Sequence, residues 1–373
     1  MEQKSFADIF EDVTKQAVKI QKKDYLPTGP YPIIDQGQEW CAGYTDREDG
    51  LFQDVPAYIF GDHTRIIKYT DEPFYLGADG VKLLKLREGI QANPRFFYYA
   101  LKSQRIPDTG YNRHFKWLKE SLYHVPTLNE QTHIADTLDT LSTLITLCKT
   151  KIFLFDELVK SRFVELFGDP VANPKGVVTK SMPEICRIID GDRGKNYPKA
   201  EELHSNGYCL FLNTKNVTFA GFRFDNCMFI SKEKDNAMRK GKLERGDIVL
   251  TTRGTIGNLA NYTNDIPYGN VRINSGMVIL RLNQDIVNAS FFIQQFRMQI
   301  SSIINKIASG TAQPQLPIST MNRISMLVPP LSLQNEFAAF VEQTDKSKLV
   351  LRQLLEKQRI LKAALMQEYF AAK

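Results

Sequence analysis

Cysteine is scarce and unpatterned in this chain of 373 residues. The five thiols, Cys41, Cys148, Cys186, Cys209 and Cys227, are odd in number and never spaced CxxC. That excludes a disulfide framework or a zinc knuckle and points to packing thiols in a reducing compartment. Long apolar runs are absent, so nothing reads as a membrane span. The first residues, MEQKSFADIFEDVTK, carry acids where a secretory signal needs an apolar core. A cytoplasmic location with no membrane partner is therefore expected. The five histidines, His63, His114, His124, His133 and His204, form neither HxH nor HExxH, so no metal site is expected.

Catalytic patterns are missing as well. No GxxxxGK[ST] occurs; the nearest string, Gly191-Asp-Arg-Gly194-Lys195-Asn196, lacks the spacing and the hydroxyl. No GxGxxG opens a helix after a strand. Pro107-Asp108 is followed by no carboxylate and lysine spaced to hold a nuclease Mg²⁺, and Val328-Pro-Pro-Leu331 has the wrong flanks for an amino-methyltransferase loop. No residue is assigned a catalytic role.

What is present is an ordinary globular composition, 43% hydrophobic and 24% charged, with an internal repeat. VPTLNEQTHIA (125–135) stands against VPPLSLQNEFA (328–338) at an offset of 203, and LVKSRFVELF (158–167) against LKAALMQEYF (361–370) at the same offset. RFFYYALKSQ (95–104) resembles SFFIQQFRMQ (290–299) at an offset of 195. The chain reads as two lobes with unlike sequences, each followed by a similar helical arm.

In the first arm Ile134, Leu138, Leu141, Ile145, Cys148, Ile152, Phe155 and Val159 alternate steps of four and three, the seam of a coiled coil. Thr127-Leu-Asn-Glu130 suits a capping box, and Gly168 followed by Pro170 suits a stop. About 40 residues give a helix of roughly 60 Å. The second arm carries Phe337, Val341, Leu351, Leu355 and Leu365, with Thr344, Lys348 and Gln358 interrupting the seam. The recurrence favours pairing of the arms; the alternative is that each packs on its own lobe.

Both lobes offer short β-branched runs: DVPAYIFG, TRIIKYT and GVKLLKL in the first, YCLFLNTKNV, DIVLTTRG, NLANYT and SGMVILRL in the second. Loops near these runs combine cations, amides and aromatics, which suit phosphates and base edges. The DNA-contact candidates of the first lobe are Gln36, Gln38, His63, Arg65, Lys68, Asn112, Arg113 and Lys116. Those of the second are Arg193, Lys195, Asn196, Tyr197, Lys215, Asn216, Arg253, Thr255, Gln313 and Gln315. The net charge of +6 is uneven: the first lobe is near neutral, and the second carries the excess of Lys and Arg. The second lobe is therefore expected to supply more of the nonspecific phosphate affinity.

The chain resembles the DNA-specificity subunit of Type I restriction-modification systems. The resemblance rests on the VPxL segments with Gln/Glu-rich helix starts, LFGDP (166–170), GDIVLTTRGTIGNLA (246–260), SGTAQPQL (309–316), YPIIDQGQ (31–38) and FGDHTR (60–65). It implies an α/β fold: two mixed, strand-rich target recognition domains in pseudo-two-fold arrangement, separated by two long helices forming an antiparallel coiled coil. The domains are expected at 1–126 and 169–328, with spacer helices at 127–168 and 329–373. Leu138, Leu141, Ile145, Ile152, Phe155, Leu351, Leu355 and Leu365 would form the helix seam.

Under this resemblance the chain is a non-catalytic reader of a bipartite, asymmetric site in double-stranded DNA. It would dock two methyltransferase (modification) subunits and, with them, restriction/translocase subunits. S-adenosylmethionine, ATP and Mg²⁺ would belong to those partners, with no cofactor in this chain. Unlike lobes on like arms independently predict an asymmetric split site, because identical readers would give a palindrome. Stiff arms predict a fixed spacer, lengthened by inserting residues into an arm. The rival readings are an enzyme fragment, tested by cofactor binding, and a coiled-coil scaffold or assembly factor that binds no DNA, tested by salt-dependent DNA binding.

Overall fold

The computed structural model describes residues 2–77, 79–308 and 315–370. The chain divides into two compact units, Met1–Thr150 with Arg352–Lys373, and Lys151–Leu351. Each unit holds one lobe and part of each long helix, so the division falls within the helices.

In the first unit an antiparallel sheet runs in the order Phe10–Asp12, Val81–Leu86, Ala57–Gly61, Ile67–Thr70. A second sheet runs Lys19–Ile20, Tyr75–Gly77, Tyr31–Ile34, Gly43–Thr45, with parallel pairing around Tyr75–Gly77. Side chains of Ala57–Gly61 alternate between two cores because a strand has period two. Ile59 joins Ile34, Phe74 and Leu76, whereas Tyr58 and Phe60 join Phe6, Phe10, Phe96 and Phe97. Both faces are covered, which explains why this run reads as uniformly apolar.

The second unit repeats this plan. Cys186–Asp190, Met277–Leu282, Ile248–Thr251 and Leu259–Asn261 form the antiparallel sheet. Phe229–Ile230, Cys209–Leu212 and Val271–Ile273 form the other, its last pair parallel. The registers coincide: Phe60 faces Lys82 and Ile67, and Leu250 faces Val278 and Leu259. The lobes that look unlike in sequence therefore share a fold. Burial pattern is retained while residue identity is not, and only the former is needed to place strands.

Each lobe is tied to its helix by the same clasp. Asn93 caps helix Pro94–Lys102 through Arg95 N and Phe96 N, and its own N–H donates to Gln131 Oε1 at 2.9 Å. Asn288 caps helix Ala289–Ala308 through Ser290 N and Phe291 N, and donates to Gln334 Oε1 at 2.9 Å. Asn93/Asn288 and Gln131/Gln334 stand at the two repeat offsets noted above.

The first long helix is Leu128–Phe167 and the second Leu331–Phe370. The Thr127 N–H donates to Glu130 Oε2 at 3.0 Å, and Gly168 closes the helix at φ +83°. In the first unit Leu138, Leu141 and Cys148 are buried and Ile145 half-buried; Cys148 Sγ donates to Gln358 Oε1 at 3.5 Å. Lys362 Nζ donates to Ser142 Oγ, so this stretch is antiparallel. In the second unit Asp156 pairs with Lys348 at 2.8 Å and Arg162 with Glu336 at 3.3 Å, again antiparallel, with Ile152, Phe155 and Leu351 half-buried. Leu355 is half-buried and Leu365 packs on the first lobe's core. Thr344, Lys348 and Gln358, the polar interruptions, are all buried. The helices also pack on their lobes: Leu138 belongs to the first lobe's core, Val159 and Phe163 to the second's. Both alternatives read from the sequence are thus realised together.

Candidate nucleic-acid interface

In the first lobe the turn after Ala57–Gly61 carries His63. Its N–H donates to Gln36 Oε1 at 3.3 Å, its Nδ1 lies 3.2 Å from Asn112 O, and its ring stacks on Tyr111 at 4.6 Å. Asp62 N donates to Gly80 O at 2.7 Å, and a Cβ on Gly80 would meet His63 and Gln36 within 2.7 Å. The structure thus brings Gln36, His63 and Asn112 together. Gln36 is spent internally, bonding His63, Asp79 O and, through its own carbonyl, Thr64 Oγ1. Asn112 Nδ2 is likewise bonded to Thr109 O.

Two first-lobe cations need correction. Lys68 is buried, its Nζ donating to Glu39 O with Asp35 at 3.6 Å, and burial lowers its pKa; it is not a surface cation. Arg65 is paired with Asp108 at 2.7 Å. The Gly110 N–H, then Arg65, hold the Asp108 carboxyl below its ordinary range. Arg113 is exposed and unpaired among the described residues. Lys116 is exposed over the Trp117 ring at 4.2 Å, and Gln38 lines a groove shared with Trp40.

In the second lobe the equivalent turn presents Arg253. Thr252 N donates to Gly276 O at 2.9 Å, matching the Asp62–Gly80 bond of the first lobe, and Arg253 stands where His63 stands. Gly191 lies so close to Asn274 O that a Cβ would come within 2.4 Å, and a Cβ on Gly276 would come within 3.0 Å of Thr214. These close approaches gather the loops of Arg193 and Lys195, Lys215, and Arg253 and Thr255. Leu316 N donates to Thr252 O at 3.0 Å, which brings half-buried Gln315 beside them. Lys195, Lys215 and Arg253 are exposed with no ion pair among the described residues, and Arg193 is 3.3 Å from Asp190.

Asn216 requires correction: it is buried, bonding Asn213 N and the carbonyls of Arg223 and Asn226. Asn196 Nδ2 donates to Ala237 O, and Tyr197 packs on Phe211. Gln313 lies outside the described residues.

Two features were missed by reading the sequence. Tyr111 is 88% exposed and forms the outer half of the His63 stack. Arg239 and Lys240 are exposed beside the Arg193 loop, where Arg239 N donates to Asp192 Oδ2 at 2.6 Å. The string Arg239-Lys240-Gly241-Lys242 was the available signal. Among the described residues no group of three or more His, Cys, Asp or Glu could hold a metal, and no helix could cross a membrane.

The family model described as Type I restriction modification DNA specificity domain matches residues 1–153 and 174–360. The EcoR124I/EcoR124II Type I restriction enzyme specificity subunit of Escherichia coli is 29% identical over 96 residues, 25% of this chain and 23% of that one. The match thus spans about a quarter of that relative's length. The crystal structure of a Type I restriction-modification S subunit from M. genitalium covers 100% of this chain and 96% of its own at 20% identity, with a TM-score of 0.66. A chain from work on complex assembly and conformational transition of the type I R-M system covers 99% and 97% at 14% identity, with a TM-score of 0.56. At these identities the two structures speak for the fold alone.

Proposed function

This chain belongs to the Type I restriction modification DNA specificity domain family, and from that premise we propose that it reads a bipartite, asymmetric site in double-stranded DNA. The observation carrying this reading is one scaffold used twice with different loop chemistry: His63 with Tyr111 in the first lobe, Arg253 among unpaired cations in the second. Equal scaffolds present loops at equivalent places, and unequal loops select unequal half-sites. The second lobe, with Lys195, Lys215, Arg239, Lys240 and Arg253 exposed, supplies most of the phosphate attraction.

Two modification subunits dock on the long helices, and restriction/translocase subunits join through them. Leu144 and Leu147 in the first unit and Phe153, Leu154, Leu158, Leu349 and Val350 in the second are exposed apolar side chains suited to burial by such partners. In this reading the chain is non-catalytic, and S-adenosylmethionine, ATP and Mg²⁺ belong to the partner subunits.

Inserting about seven residues, two helical turns, into both arms after Thr150 and after Leu351 adds about 10 Å. At about 3.4 Å per base pair the unread spacer should grow by about three base pairs while both half-sites stay the same. Methylome sequencing of cells carrying the altered chain reads this directly. An unchanged spacer would remove the arms as the ruler. Absence of salt-dependent DNA binding by the assembled complex would remove the reader itself.

A further inference from the structure

One connection differs sharply between the lobes. Residues 35–42 join Tyr31–Ile34 to Gly43–Thr45, while residues 213–228 join Cys209–Leu212 to Phe229–Ile230. The longer connection contains a hairpin, Val217–Thr218 paired with Gly221–Phe222, which lies against the edge strand Leu259–Asn261. Asn258 Nδ2 donates to Val217 O at 2.9 Å. Arg297 Nη2 donates to Phe219 O at 2.7 Å, and its guanidinium lies 4.8 Å from the Phe219 ring centroid.

The first lobe has the same strand and helix without the hairpin. By register Tyr69 stands where Asn261 stands, and the helix offset of 195 puts Lys102 where Arg297 is. Beside them is a groove of about 770 Å³, lined by Trp40, Tyr69, Tyr98, Lys102, Gln38 and Gln104 among others. Trp40 is 43% exposed, and Lys102 is exposed with Nζ 3.4 Å from Tyr98 Oη. The other cations lining the groove are already matched: Arg65 by Asp108, Lys68 by Asp35 and Glu39 O, and Arg95 by Asp139. Matched cations gain little from a phosphate, whereas aromatic walls gain from covering a flat apolar side chain. The groove therefore suits polypeptide better than nucleic acid.

We propose that this groove receives a loop of a docked modification subunit, carrying an aromatic side chain beside a free backbone carbonyl, in the place that Val217–Phe222 fills in the second lobe. The proposal rests on the docking reading above. The groove is continuous with the helices of its own unit: Arg95 joins Asp139 on the first, and Lys102 faces Lys362 on the second. Burial first, and then the Lys102 charge, pushes Lys362 down to about 8. Ile360 and Leu361, next to it in sequence, are exposed apolar residues that the same partner would cover. Among the described residues the hairpin fills this place in the second lobe and the first lobe leaves it open, so the two docked subunits are held unequally.

The test uses the full chain co-expressed with its modification subunits. Lys102→p-benzoylphenylalanine should photocrosslink to a modification subunit, at a loop that mass spectrometry finds to contain an aromatic residue. Trp40→Ala combined with Lys102→Glu should weaken one of the two subunits about tenfold, leaving the other bound as before by a chain that circular dichroism shows to be folded. An assembled wild-type complex would overturn the proposal if the probe reached only DNA or no partner. Affinities of the double variant for both subunits unchanged from those of the wild-type chain would overturn it as well. Failure of the wild-type chain to assemble any modification subunit would instead sink the docking reading, and this proposal with it.

Discussion

Tyr75 in the first lobe and Arg272 in the second face Ile33 and Phe211 across equivalent parallel strand pairs, yet they tie down their loops by different chemistry. The Tyr75 hydroxyl lies 2.8 Å from Arg47 O and 2.9 Å from Asp49 O. Arg272 donates to the buried Asp235 carboxylate and to the carbonyls of Met238 and Lys240. The comparison teaches that the strand plan fixes where loops leave the scaffold, while the side chain anchoring them is free to change. It predicts unequal sensitivity. Arg272→Met takes one of two cations from the buried Asp235 carboxylate, which keeps Lys242 at 2.6 Å, and unpairs the Met238 and Lys240 carbonyls, so it should cost about 3 kcal/mol. Tyr75→Phe removes one neutral hydroxyl and should cost about 1–2 kcal/mol. Urea unfolding of the full chain measures both, and equal costs would show that the anchors do not differ in kind.

The clasps should behave alike where the loops do not. Gln131 is buried with bonds to Asn93 N and Pro126 O; Gln334 is buried with bonds to Asn288 N, Pro329 O and Ile286 O. Replacing either by Ala leaves buried backbone groups unpaired and should cost about 2–3 kcal/mol. Gln334→Ala should be the more damaging by its additional acceptor. Hydrogen exchange at the Asn93 and Asn288 amides should rise only in the lobe whose clasp is broken.

At the reading loops the lobes should part again. Arg253→Ala should relax recognition of one half-site at a cost of about 1–3 kcal/mol if the guanidinium reads a base edge. His63→Ala should change the other half-site, with less effect on the salt slope than Arg253→Ala, because the His63 ring is held by a stack and a hydrogen bond and does not present a guanidinium charge. Methylation mapping separates the half-sites. A uniform loss over all sequences with Arg253→Ala would make that residue a phosphate contact.

The arms were the most legible part of the sequence. Thr127 with Glu130, Gly168 and the seam from Ile134 to Val159 are local signals, and local geometry satisfies them. The shared plan of the lobes was hidden because strand pairing joins residues distant in sequence and tolerates any apolar residue at a buried position. The loops were legible only as a group. Lys68, Asn216 and Gln36 have the residue types of a DNA contact, but they turn inward to bond carbonyls and amides. Composition cannot distinguish a polar side chain that completes a turn from one left facing solvent. Tyr111 stands between Gly110 and Asn112 in a candidate loop, and only its 88% exposure shows that its ring faces solvent.

The smallest expected effect separates the two units along the helices. Lys348 is buried but lies 2.8 Å from Asp156 and 2.7 Å from Asp345, so its charge is compensated. Lys362 lies over the Tyr99 ring and donates to Ser142 Oγ, and burial together with the Lys102 charge brings its pKa to about 8. An unfolded lysine keeps its proton to about 10.4. Between these values the unfolded chain holds the extra proton, so stability from this group rises as pH increases from about 8 to about 10. Lys362→Met should therefore raise the melting temperature slightly at pH 7, and the advantage should shrink toward pH 10. Lys348→Met should lower it at pH 7, because Asp156 and Asp345 lose their shared counter-charge. Thermal unfolding of the three chains at pH 7 and pH 9.5 decides the matter. A Lys362→Met chain less stable than wild type at pH 7 would mean that its contacts with Ser142 and Tyr99 outweigh the cost of burying its charge.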